Sequence, residues 1–327
     1  MKVRFAKDVL DDQNSWRKLD GFVDLFDEGR HFWDVDDIQL IEQSPWIQDN
    51  LSHPIGQENL EILQKSYTDG LYPNSENHRH SLSVCVSLQG NAEENNLTPE
   101  EAKRCLTTPA YVVVENAESD GAFLQTMMSA FKQQNLLDAH KNFWWRIESR
   151  GGATEINKNI QQIQDETIGP LRVFVLVDSD RLSPGYVKPA IQKLEQYCID
   201  KNIPYAVLEK REIENYIPVD LLQGLKNKNT IYRAFLELTQ QQRDYYDMKY
   251  GFAKDKQNKA IIREEQQALF KHVRQHILDK LCGGFGKNIS HLFESKREQF
   301  SKDSIQRTCP DNPDELDNIF KQIEALI

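Results

Sequence analysis

The chain has 327 residues, of which 39% are hydrophobic, and a formal net charge of −11. That length suits two domains of about 100–200 residues, or one core with additions, and it needs no disulfide or metal staple to fold. No apolar stretch approaches the roughly 20 residues that span a bilayer. No apolar signal core follows the basic start Met1-Lys2-Val3-Arg4, so a cytoplasmic protein without a membrane partner is expected. The five cysteines are far apart and form no Cys-x-x-Cys pair, which fits neither a zinc ribbon nor a disulfide framework.

The charge is uneven. Residues 1–100 carry 8 basic and 19 acidic side chains, whereas residues 221–327 carry 18 and 15. A polyanionic ligand is repelled at long range by such a chain, so binding one needs local basic surface and bound metal. The C-terminal third is where such surface can gather.

Residues 1–108 form an acidic region of irregular pattern, expected to be α+β. Val3–Phe5 reads as a short strand and Asp34–Ile41 as a helix start with carboxylates at the positive end of the dipole. His78-Arg79-His80, the closest histidine pair, reads as a polar surface loop. Ser81–Leu88 alternates polar and apolar residues as a half-buried strand does. Thr98-Pro99-Glu100-Glu101 carries an N-cap, a proline at the first helical position and a glutamate at the third.

From 109 to 220 strand and helix patterns alternate. Ala110–Val114 is a continuous apolar run, as in a strand covered on both faces. Ser119–Gln134 has helical spacing. Phe143–Ile147 is a second strand, Gly151-Gly152 a turn or a phosphate-approach loop, and Thr154–Ile163 a helix. Leu171–Val177, Tyr186–Lys201 and Pro204–Leu208 add strand, helix and strand. Such repetition gives a parallel sheet flanked by helices, an α/β domain. Residues 221–327 read as a helical C-terminal region, with long helices over Asn229–Tyr250 and Lys256–Lys280, a break at Gly283-Gly284-Phe285-Gly286, and a last helix after Asn312-Pro313. Its aromatics, Tyr250 and Phe252 among them, suit helix packing, base stacking or a homodimer contact.

Acids stand where the strands end. Glu115 follows Tyr111–Val114, Asp178 and Asp180 follow Val173–Val177, and Glu209, Glu212 and Glu214 follow the fourth strand. Functional groups in open parallel sheets sit beyond the carboxyl ends of strands. Carboxylates gathered there repel one another, and a divalent cation relieves the repulsion. Extended backbone would point Asp178 and Asp180 to the same side. Mg²⁺ takes few carboxylates and keeps water and phosphate ligands, the arrangement used in phosphoryl displacement.

Val112-Val113-Val114-Glu115-Asn116-Ala117-Glu118-Ser119-Asp120 resembles the opening of a TOPRIM domain, and Val173–Asp180 resembles that family's Asp-x-Asp strand. Leu208–Tyr216 is similar to the Glu-Ile-Glu-Asn-Tyr segment of the overcoming-lysogenization-defect (OLD) branch, whose members are DNA and RNA nucleases, many of them in anti-phage systems. The resemblance covers about 108–220. It implies a TOPRIM-like sheet and Mg²⁺ or Mn²⁺ on Glu115, Asp178, Asp180 and Glu214. It further implies Asp120 or Glu118 completing the metal site, and a lysine that assists phosphodiester cleavage, for which Lys210 matches. The motif here has one residue more than usual and Asn116-Ala117 in place of glycine. No GxxxxGK[ST] occurs. The resemblance therefore implies a stand-alone endonuclease subunit, similar to that of PARIS-type systems, acting on DNA or tRNA-like RNA and controlled by a separate ATPase subunit. The acidic residues 1–108 are the region expected to dock it. The alternatives are a non-catalytic TOPRIM-fold regulatory subunit and a haloacid-dehalogenase-like phosphatase.

Overall fold

The computed structural model describes residues 1–37, 41–71, 82–149 and 153–327. Ile38–Leu40 of the expected helix start, the His78–His80 loop and the Gly151-Gly152 turn lie outside the described residues. Among those described, no helix is long and apolar enough to cross a membrane.

Two parallel sheets organise the chain. The first comprises β1 (Lys2–Phe5), β2 (Phe32–Asp34), β3 (Ser83–Val86) and β4 (Asn96–Leu97) in the order β2-β1-β3-β4. Every pairing in it is parallel. The N-terminal region is thus an α/β unit and not the α+β extension that its irregular pattern suggests. Asp12, which looks like part of a polar tract, caps the helix Gln13–Asp27 by accepting from the Asn14 N–H. Phe22, Val23 and Phe26 of that helix pack on Val3 and Phe5 in a core built from Met1 to Leu106. The capping box at Thr98 forms as the sequence predicts, opening the helix Pro99–Thr107.

The second sheet comprises β5 (Ala110–Val113), β6 (Trp145–Glu148), β7 (Val173–Val177) and β8 (Tyr205–Val207), all parallel, in the order β6-β5-β7-β8. Successive residues of a strand face opposite sides, and the apolar runs supply both. Val112, Phe174 and Leu176 face a core with the helix Ser119–Ala130 and the C-terminal helices. Val113, Val173, Val175 and Val177 face the helices Ala153–Glu166 and Pro189–Asp200.

The stretches 109–220 and 221–327 share that first core, which runs from Ala110 to Ile327. Two expected long helices are shorter. Asn229–Tyr250 divides into Asn229–Leu236 and Gln240–Asp244, because Thr239 forms a second capping box. The stretch from 253 to 280 holds a two-stranded hairpin, Ala253–Lys254 with Ala260–Ile261, followed by two short helices, Glu264–Phe270 and Gln275–Lys280.

Candidate metal and phosphodiester site

β5 and β7 are neighbours, with Val113 beside Val175. Continuing that register sets Glu115 opposite Val177, one residue from Asp178. The two acids line one cavity of about 330 Å³, together with Glu118, Ser119, Asp120, Lys249 and groups from the C-terminal region, Lys287, Ser290, His291 and Glu294.

The loop between β5 and its helix is held by side chains. Asn116 Oδ1 accepts from the N–H groups of Glu118 (2.9 Å) and Ser119 (3.1 Å), and Asp120 Oδ2 accepts from the Asn116 N–H at 2.9 Å. Asn116 is not among the residues with positive φ, so the turn does not need the glycine of the family pattern. Its extra residue leaves Asp120 on the cavity wall, half-buried, whereas Glu118 is exposed. Confinement pushes the Asp120 carboxyl up, against hydrogen bonds and the nearby Lys249, which pull it down.

Beyond β8 the chain runs beside the end of β7. Leu208 N–H donates to Val177 O (3.0 Å), Asp180 N–H to Arg211 O (2.8 Å) and Ser179 Oγ to Lys210 O (2.7 Å). The Ile213 N–H donates to Asp178 Oδ1 at 2.9 Å, which fixes the start of the 3₁₀ turn Ile213–Tyr216 and with it Glu214. Desolvation holds the Asp178 carboxyl well above the usual carboxylate range, and Asp120, Glu214, Glu212 and Glu115 push it further the same way. Four acids from two stretches of the chain, 115–120 and 212–214, therefore act on one carboxyl.

Lys249, which the sequence pattern did not single out, stands among these acids. Its Nζ lies 2.9 Å from Glu214 Oε2 and 3.4 Å from Glu212 Oε2. Desolvation lowers its pKa, yet Glu212 and Glu214 outweigh that and leave the ammonium above its ordinary value. Burial, then Glu214, pushes the Glu212 carboxyl up to about 7. Glu214 is fully buried, and its Oε1 has no hydrogen-bond donor among the described residues.

Two expected site residues lie elsewhere. Lys210 is buried with all three ammonium protons engaged, by Asn215 O (3.0 Å), Thr308 O (2.7 Å) and Asp244 Oδ1 (3.0 Å). It ties the C-terminal segment to the sheet and leaves no donor for a phosphate. Asp180 has a φ of +52°, so the extended backbone that would align it with Asp178 ends before it. Its carboxylate is ion-paired with Lys188, outside the cavity lining. Glu209 also points away, accepting from Asn312 Nδ2 at 2.6 Å.

The segment carrying Lys249 is positioned by the glycine cluster that breaks the helical pattern. Met248 O accepts from the Phe285 N–H at 2.8 Å and Lys249 O from the Gly286 N–H at 3.1 Å. A Cβ on Gly284 would lie 2.6 Å from Lys249 O, and one on Gly251 would lie 2.0 Å from Leu281 O. Both residues also have left-handed backbones, so glycine is required twice over.

The oxygen donors suit a hard cation such as Mg²⁺. Among the described residues, however, no three His, Cys, Asp or Glu side chains are arranged to share one ion. Here the Lys249 ammonium supplies the positive charge beside Glu212 and Glu214. Comparison with protein-family models, with curated proteins and with solved structures gives no match to the chain.

Proposed function

We propose that the chain is a TOPRIM-type, divalent-metal-dependent endonuclease of the OLD kind. What carries this reading is the cavity shared by Glu115, Asp120 and Asp178, from beyond the ends of β5 and β7, with Glu214 joined to it through Lys249 on its wall. Carboxylates crowded in this way repel, and a divalent cation is the ligand that relieves them. To hold Mg²⁺ or Mn²⁺ those four would have to draw closer than they stand here, where no three of them share an ion position among the described residues and Lys249 occupies Glu214. When bound, such an ion supplies Lewis-acid stabilisation of a phosphoryl oxygen and activation of water. The protein's own contribution is to fix the acids on rigid strand ends and to hold an ammonium beside them. Lys249 takes the role that the resemblance gave to Lys210, stabilising charge that develops on a phosphodiester oxygen. In the absence of a P-loop motif, a separate ATPase subunit of a bacterial anti-phage system is the proposed controller, docking on the acidic residues 1–108.

The ion pairs of Lys249 favour a second reading, a non-catalytic regulatory subunit that keeps the fold with its acids already neutralised. One set of measurements separates the two. The purified chain is incubated with plasmid DNA and with total tRNA in Mg²⁺, Mn²⁺ or EDTA, and its melting temperature is recorded in the same buffers. Cleavage with metal is expected for the wild type, as is a metal-induced rise in Tm from a stabilisation of about 1.4 kcal/mol at ten times the dissociation constant. Both vanish in Asp178→Asn and Glu115→Gln. A wild-type Tm indifferent to either metal and intact substrates throughout would leave the regulatory reading.

A further inference from the structure

We propose that the groove adjoining the acid cavity takes a single strand of nucleic acid, with phosphates on Lys226, Lys228 and Lys287 and one base against the ring of Tyr250. The groove has a volume of about 460 Å³ and shares Lys287 and His291 with the cavity, so the two are immediate neighbours. None of the residues that line it is acidic. In a chain of net charge −11, a wall of three lysines and a histidine is a local reversal of sign, which a polyanion needs in order to approach.

The floor is apolar, formed by Phe285, Ile289 and Leu292, while Lys226 and Lys287 are exposed at the rim. Lys228 is half-buried and fixed by donating to Gly284 O at 2.9 Å. Tyr250 is 55% exposed, a large aromatic ring left in solvent. It follows Lys249 in sequence, and Lys287 Nζ lies 5.6 Å from its ring centroid. Cations that track a backbone beside an aromatic face are the elements of single-strand binding, because every base offers a π-face. A strand laid along the groove would bring the next phosphate to the acid cavity. This assignment of substrate form rests on the nuclease reading for its direction, and on the groove's own chemistry for its ligand.

The test is binding of a fluorescein-labelled thymidine oligonucleotide of about 15 nucleotides to the full chain in EDTA, read by anisotropy over a salt series. Wild type should bind the strand more tightly than the corresponding duplex. Lys226→Gln with Lys287→Gln should make the slope of log Kd against log salt shallower by about 1.4, at roughly 0.7 for each lost phosphate contact on a single strand. Tyr250→Ala should weaken binding about 5- to 100-fold, while Tyr250→Phe retains it. All these side chains are exposed, and thermal melting confirms that the variants fold. Absence of wild-type binding, an unchanged slope in the lysine variant, or tighter binding of the duplex than of the strand overturns the proposal. Metal-dependent cleavage without any effect of the lysine or tyrosine changes would sink the groove and spare the nuclease. Binding with these effects but no cleavage in any metal would do the reverse.

Discussion

Lys210 and Lys249 carry the same charge in opposite surroundings. The first spends its protons on two carbonyls and Asp244 inside the fold, and the second faces a cavity with acids on both sides. Lys210→Met should therefore cost stability, roughly 3 kcal/mol for an opened buried pair, seen as a lower urea midpoint, with metal-dependent cleavage kept below its melting temperature. Lys249→Gln should lower kcat by about 100-fold or more while its urea midpoint moves far less. The reverse pattern would return the catalytic role to Lys210. Sequence proximity to the Glu-Ile-Glu segment favoured Lys210. Burial could not be read there, because a lysine after a strand looks the same whether it points to solvent or to the ends of distant helices.

Among the elements, the glycine-broken segment 283–286 does more than end a helix. Gly283 and Gly284 both have positive φ, but a Cβ on Gly283 meets nothing within 4 Å, whereas one on Gly284 meets the Lys249 carbonyl. Gly283→Ala should cost only the backbone term, about 1–2 kcal/mol. Gly284→Ala should cost clearly more and also depress cleavage, by displacing the backbone that carries Lys249. Denaturation midpoints and initial rates on the two variants check this, and equal losses would count against the ladder as the device that positions Lys249. β5 and β7 were legible in the sequence because apolar runs covered on both faces end abruptly in acids. Lys249 was not, since its place depends on main-chain pairing between residues more than thirty positions apart. The N-terminal sheet was legible in part: Val3–Phe5 and the alternation over 81–88 mark β1 and β3, whereas β2 and β4, three and two residues long, are too short to register. The left-handed turn at Asp180 broke a period-two argument that held up to Val177.

At the scale of the whole molecule, the two sheets meet around the carboxyl end of the helix Pro99–Thr107. His31 Nε2 lies 2.8 Å from Leu106 O, Arg30 donates to Thr108 O at 2.7 Å, and Arg172 donates to Cys105 O at 2.9 Å and also to Thr108 O. Cations at that end complement the helix dipole. Burial first, and then nearby positive charge including Arg172, hold the His31 imidazole well below its ordinary value, so it stays neutral in the fold. A depressed histidine favours folding above its unfolded value near 6.5 and loses that contribution as the pH falls. Stability should accordingly drop below pH 6.5 by as much as about 1.4 kcal/mol per pH unit from this one group. His31→Gln, which can still donate to Leu106 O, should flatten the fall in Tm between pH 6.5 and 5. An unaltered profile would assign the acid sensitivity to other groups. The same junction decides where the chain can be cut. A fragment beginning at 109 would inherit the buried Arg172 guanidinium, one residue ahead of β7, stripped of the Cys105 and Thr108 carbonyls that receive it. Residues 1–108 thereby help to support the second sheet, and the strand that leads to Asp178 is anchored at its start by a neighbour's main chain.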